Sequence, residues 1–182
     1  MAGEREQRFE GLFRENYADV RAYALRRASR DAAQDVVAET FLVAWRRLDA
    51  VPADALPWLY GVARRVLANQ RRSADRSAAL EERLTHAAPP AGEGDPADRA
   101  ADAEILRVAL GRLSEPSREA LMLVAWQGLS GARAAQAAGC SRTAFAVRLH
   151  RARARLASEL AALEPPNLTQ VESLEVADGP AR

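Results

Sequence analysis

Apolar side chains recur along this chain at intervals of three and four, the period of an amphipathic helix, and almost nowhere at the alternating period of a strand. From Phe9 to about Ala28 the stripe is Phe9, Leu12, Phe13, Tyr17, Val20 and Ala24. Asp31 then stands as a helix N-cap, with Gln34 three residues later as in a capping box. Behind it, Val36, Val37, Thr40, Phe41, Ala44, Trp45 and Leu48 share one broad face, leaving Asp35, Glu39 and Arg46 largely outside it. The loop from Leu48 to Pro57 carries two prolines and Asp54, which prepare a third helix. That helix turns Trp58, Leu59, Val62 and Val66 inward and Arg64, Arg65, Arg71 and Arg72 mostly elsewhere.

The period fails at Ser73. From there to Glu104 eight acidic residues face three arginines around an Ala-Pro-Pro-Ala-Gly-Glu-Gly-Asp-Pro centre. Such a composition buries too little apolar surface to offset its ordering entropy and reads as a flexible linker. Beyond it Ile105, Leu106, Val108, Ala109 and Leu113 start a second helical unit. Ser114 suits an N-cap, with Pro116 in the first turn of the next helix. Leu121, Leu123, Val124 and Trp126 pack that helix, and Gly128 suits its left-handed C-terminal position. Ser130 and Ser141 cap two more helices, separated by Gly139, where the turn needs a positive φ. After Leu163 the tail is acidic and interrupted by proline, as mobile termini are. The fold class expected is all-α: two small helical domains, 1–75 and 101–163, joined by a flexible acidic linker at 76–100 and followed by a disordered tail at 164–182.

Charge sharpens the picture of the second unit. The formal net charge is only +1, yet the 39 residues between Glu119 and Glu159 contain no Asp or Glu and six arginines. A helix that is merely solvated mixes signs for i,i+4 pairing; an acid-free one is suited to a polyanion. A short helix, a tight turn and an arginine-bearing helix have the shape and charge of a helix-turn-helix. Phe145, Leu149, Ala152 and Leu156 form the buried stripe of its second helix, so Arg142, Thr143, Ala146, Arg148 and Arg151 point toward solvent or DNA. The absence of Lys among 26 basic residues carries no functional weight, since a coding bias accounts for it.

Other chemistry is thinly represented. One cysteine excludes an internal disulfide and a Cys-based zinc cluster; Cys140 reads as a small buried turn residue. His150 has no partner ligand at metal spacing, so neither a metal site nor a cofactor is expected. The residues contain no nucleophile–base constellation and no phosphate-cradling glycine loop, which argues against an enzyme. The charged N-terminus and the lack of a roughly 18-residue apolar run predict a soluble, cytoplasmic protein without membrane insertion.

The segment LSGARAAQAAGCSRTAFAVRLHRARARL resembles the −35-reading region of extracytoplasmic-function (ECF) sigma factors, most closely at RLHRAR, Arg148 to Arg153. It departs at Ala146 and Val147, where the family usually has a basic residue and Ser, and at Arg133, which replaces a usual acid. AQDVVAETFLVAWRRL resembles the family's polymerase-gripping helix, and PWLYGVARRVLANQRR its −10-engaging helix, with Arg65 and Asn69 replacing the usual Asn and Asp. Together the likeness covers about residues 9–75 and 101–160. It implies a promoter-specific initiation factor whose partners are bacterial core RNA polymerase and promoter DNA, and it admits an anti-sigma factor. By the same resemblance Asp35, Glu39, Phe41 and Trp45 bind polymerase. Arg64, Arg65, Asn69, Arg71 and Arg72 serve the −10 region, and Ser141, Arg142, Thr143, Arg148 and Arg151 the −35 region. The loop from about Leu48 to Leu56 would hold an unstacked base, while Trp58 reads as core or as a stacking surface. A stand-alone helix-turn-helix regulator and a helical protein-interaction adaptor are the competing readings.

Overall fold

The computed structural model describes residues 2–81 and 97–163, and every regular element in them is helical. Helix α1 runs Ala2–Leu25, α2 Arg30–Arg46 and α3 Ala55–Glu81; a 3-10 turn at Leu48–Ala50 lies between α2 and α3. The second unit is α4 (Ala97–Gly111), α5 (Glu115–Ala125), α6 (Gly131–Ala138) and α7 (Arg142–Ala161). The centre of the expected linker and the acidic tail lie outside the described residues. Helix α3 continues through Ser73, where apolar periodicity stops, to Glu81. Its composition suits this: Ala, Arg and Leu are good helix formers.

The caps differ from expectation at one place. Ser29, not Asp31, is the N-cap of α2, and its hydroxyl accepts the Ala32 amide at 3.4 Å. Asp31 falls in the first turn, where a carboxylate favours the positive end of the helix dipole instead. Ser141 caps α7, accepting from Ala144 N at 3.1 Å. Gly139 has φ +66° and Gly128 φ +61°, so both close their helices in the left-handed conformation that the sequence requires there.

Helices α1, α2 and α3 form a three-helix packing around Val20, Tyr23, Val36, Phe41, Ala44, Leu59 and Ala63. Thr40 is fully buried, and its hydroxyl donates to Val36 O at 2.6 Å, which satisfies it within its own helix. One edge of this unit is aromatic: Phe9 meets Trp45 edge-on at 5.2 Å, and Phe13 lies 4.7 Å from Phe41. In the second unit Leu113, Leu121 and Ala152 make a small separate cluster beneath Leu110, Leu149 and Leu156. Trp126, expected inside, is 40% exposed at the end of α5.

The sequence shows no sign that the two units share a core, yet they do. Ala134, Ala135, Ala137, Ala138 and Phe145 belong to the same buried cluster as Tyr23, Leu59 and Tyr60. Gly61 makes this possible: a Cβ there would sit 3.3 Å from Ala137 O, so α3 and α6 approach backbone to backbone. Beside that contact Tyr23 and Tyr60 stack at 4.8 Å. The Tyr60 hydroxyl donates to Gln127 Oε1 at 2.9 Å.

Glu119 completes the seam. Its carboxylate is buried, accepts the Tyr23 hydroxyl at 2.7 Å and pairs with Arg27 Nε at 3.1 Å. The Arg27 guanidinium lies over the Tyr23 ring, 3.6 Å from its centroid. Removing one partner of a buried pair leaves the other charge uncompensated, at a cost of about 3–5 kcal/mol. Glu119→Ala should therefore lower urea-unfolding stability by roughly that amount. Asp54→Ala, at the exposed pair with Arg133, should cost less than ~1 kcal/mol. Equal midpoints for the two variants would strip Glu119 of this role.

Burial also pushes the Tyr60 phenol up to about 12, with the charge of Asp19 acting in the same direction. Burial raises Tyr23 well above the usual tyrosine range too, opposed by Arg27 and reinforced by Glu119. A tyrosine whose folded pKa lies above its unfolded value of roughly 10 stabilises the fold fully below that pH. The contribution, on the order of 2 kcal/mol for Tyr60, is lost as pH rises toward 12. Absorbance at 295 nm should show Tyr23 and Tyr60 un-ionised at pH 11 in the folded chain. Full tyrosinate absorbance there without unfolding would contradict this arrangement.

Candidate nucleic-acid interface

Helix α3 has two working faces. Arg65 and Asn69, one turn apart, look into an open groove between α2 and α3 that Asp35, Glu39, Leu42, Trp58 and Val62 also line. Arg64 and Arg71, two turns apart, turn the other way and line a cavity against the second unit. The five residues expected to serve the −10 region thus do not share one face of α3. Arg72 Nη2 donates to Asn69 Oδ1 and stays with the groove set. Arg71 pairs with Glu115 and also donates to Arg27 O at 3.3 Å.

The four residues assigned to polymerase divide as well. Asp35 and Glu39 are exposed, and neither has an ion pair among the described residues. Phe41 is 3% exposed and packs on Phe9, Phe13 and Tyr17. Trp45 is half-buried, against Phe9 and under the Arg5 guanidinium at 5.3 Å. Phe41 therefore sets where α2 lies on α1; it presents no surface. Leu42, 39% exposed one turn beyond Glu39, is the apolar group that α2 does offer; it lies outside the stripe read from the sequence. Trp58 is half-buried, so it serves the core and the groove wall together.

On α7, Arg142, Thr143, Ala146, Val147 and Arg151 are exposed as its buried stripe requires. Ser141 is committed to its capping bond. Arg148 departs from this face: it is half-buried and lines the cavity between the units, opposite Arg64 and Arg71. The acid-free segment borrows carboxylates from outside itself. Arg133 Nε and Nη2 clamp Asp54 at 2.8 and 2.7 Å, and Arg155 pairs with Glu159 at 2.7 Å. Arg142, Arg148, Arg151 and Arg153 have no carboxylate partner among the described residues, so their field is available to an anion.

The loop joining α2 to α3 is anchored by Leu48 and Val51, both buried. Leu48, Val51, Pro52, Ala53 and Asp54 line a recess against Asn16 and Asp19 of α1, and Arg133 of α6 reaches into its rim. His150 is exposed on α7, and no group of three His, Cys, Asp or Glu side chains gathers among the described residues. No described helix is long and apolar enough to cross a membrane.

Known proteins share this architecture. The Sigma-70 region 2 family matches residues 12–77, and Sigma-70 region 4 matches residues 103–156. The ECF RNA polymerase sigma factor SigL of Mycobacterium tuberculosis is 33% identical over 144 residues, spanning 76% of this chain and 81% of SigL. RNA polymerase sigma factor NccH of Alcaligenes xylosoxydans xylosoxydans is 33% identical over 134 residues, 69% of this chain and 72% of NccH. Among solved structures, the sigma factor RpoE in complex with the anti-sigma factor NepR from Bartonella quintana superposes with TM-score 0.65 at 28% identity. It covers 86% of this chain and 98% of RpoE. With an aligned helical core, both sigma regions in order and an arginine-rich helix-turn-helix, the chain belongs to the ECF sigma factor family.

Proposed function

We propose that this sigma factor divides its work among three surfaces. Asp35 and Glu39, followed one turn on by the exposed Leu42 on α2, grip a basic element of bacterial core RNA polymerase. Arg65, Asn69 and Arg72 on the groove face of α3, with Trp58, take the −10 element. Arg142, Thr143 and Arg151 on α7 read the −35 element, joined by Arg148 once it is freed from the second face of α3. The observation that carries this reading is the α2–α3 groove, where the acidic pair and the groove-facing arginine meet on one open surface.

Each surface has a physical task. Exposed acids beside an apolar side chain fix register on a basic partner. Arginines facing the promoter release counterions and supply affinity without sequence information. On α7, Arg reaches guanine with two hydrogen bonds, and Ala146 and Val147 offer apolar contact to a thymine methyl. Initiation is a recognition task, so the chain works beside polymerase in the cytoplasm and needs no catalysis of its own.

The packed arrangement cannot read both elements at once. Sites 25 base pairs apart are separated by roughly 85 Å at 3.4 Å per pair. A folded chain of this length has a radius of gyration of only about 16 Å. Residues 1–75 and 101–163 therefore act as separable units, and the 15 positions between Glu81 and Ala97 can bridge up to about 50 Å when extended. Separation also withdraws Arg133 from Asp54, which clears the loop that would receive an unstacked −10 base. An anti-sigma protein, like the NepR that accompanies RpoE, would act by covering these faces.

Asp35→Arg should weaken capture of core polymerase by at least about tenfold while leaving the helical circular dichroism unchanged; unaltered capture would remove the α2 surface. Arg148→Ala should cost ~1–3 kcal/mol in promoter affinity and erase footprint protection at −35 while sparing −10. Run-off transcription with core polymerase separates this reading from that of a stand-alone regulator, which would protect a symmetric operator without polymerase.

A further inference from the structure

The cavity between the two units has a volume of about 370 Å³ and takes its walls from both. Arg27, Arg64 and Arg71 come from the first unit, Arg148 from α7, and Glu115 and Glu119 from α5. Two guanidiniums are spoken for: Arg27 pairs with Glu119 and Arg71 with Glu115. Arg64 and Arg148 have no carboxylate partner among the described residues, so two positive charges remain uncompensated.

The hydrogen bonds tell the same story. Arg27, whose side chain is only 4% exposed, keeps Nη2 buried without an acceptor; so does Arg64 with Nε. Buried donors normally find acceptors, and each one that does not is destabilising. Both residues line the cavity. Leu67, Pro116 and Ala138 provide an apolar side to the same space.

We propose that this inter-unit cavity binds a small phosphorylated anion, whose presence holds the two units together. A phosphate or diphosphate group matches the two uncompensated charges and presents oxygens to guanidinium forks in bidentate geometry. The apolar side accommodates a compact organic moiety. The phosphate of a DNA backbone is the same chemistry from another source, but a duplex is far too wide for a space closed on two sides by packed helices. Because the binding groups come together only in the packed form, a ligand there stabilises that form by mass action and opposes separation. This rests on the packed geometry alone and would stand if the polymerase surface were elsewhere.

Cys140 lines the cavity and is free, which makes it a reporter. The full chain, at fixed ionic strength, is titrated with inorganic phosphate, pyrophosphate and ADP. Calorimetry follows binding, and the alkylation rate of Cys140 follows occupancy. The expected result is saturable one-to-one binding of at least one probe. Cys140 alkylation slows at least fivefold, and small-angle scattering shows no increase in radius. Arg64→Gln and Arg148→Gln should each weaken binding tenfold or more; Arg21→Gln, exposed on α1 and outside the cavity, should not. Retained helicity of the variants secures the comparison. Absence of saturable binding would overturn the proposal, as would equal loss in Arg21→Gln. So would protection of Cys140 by a single-stranded oligonucleotide when none of the three small anions protects it, which would assign the arginines to DNA alone.

Discussion

Everything in this molecule that concerns the relation of its two helical units turns on one buried carboxylate. Glu119 sits where α5 meets α1, bonded to the Tyr23 hydroxyl and to Arg27. A buried ion pair is weak evidence of stability, because desolvation offsets most of its Coulomb energy. The apolar contacts around it, the Gly61–Ala137 approach and the Tyr23–Tyr60 stack, supply the favourable burial. What Glu119 adds is registry. A docking that covers Arg27 without bringing Glu119 to it strands a guanidinium that is 4% exposed here and already has one donor unmet.

Through that registry the faces assigned to DNA fall into two classes. Arg65 and Asn69 stay open in the groove, with Arg72 bonded to Asn69; Arg64 and Arg71 are turned onto the second unit, where Arg148 lines the same cavity. The division follows from helical geometry alone. Positions 65, 69 and 72 fall on one face of α3 and positions 64 and 71 on another. A list of arginines on one helix therefore does not make one surface, and the packed form exposes only part of the set expected to face DNA.

Most of the fold was legible in the sequence, for reasons that can be named. The stripes of α2 and α7 are strongly periodic, and Gly139 and Ser141 bracket a turn that few other residue pairs would form. The helix-turn-helix and the exposed acids of α2 were readable from spacing. The inter-unit seam was not. Gly61 looks like a weak point in a helix until α6 supplies the backbone that needs the room. Glu119 looks like the mere boundary of an acid-free stretch until Tyr23, 96 positions away, supplies its donor. Arg148 and Trp126 were misplaced for the same reason, since long-range packing decides exposure wherever a helix contacts two neighbours.

The composition of the seam bears on whether it can open. A purely apolar interface would lose hydrophobic burial with nothing to replace it on separation. Here separation returns Glu119, Arg27 and Gln127 to water, which solvates each of them well. Their hydration offsets part of the lost packing, so the packed and separated forms differ by less than the apolar contacts alone would give. Small residues reinforce this: Ala134, Ala135, Ala137 and Ala138 bury little surface each, yet they permit the close approach that excludes water. An alanine-faced helix on a glycine-notched one, tied by polar bonds, is specific in geometry and modest in energy. That combination lets a partner or a ligand choose between the two forms.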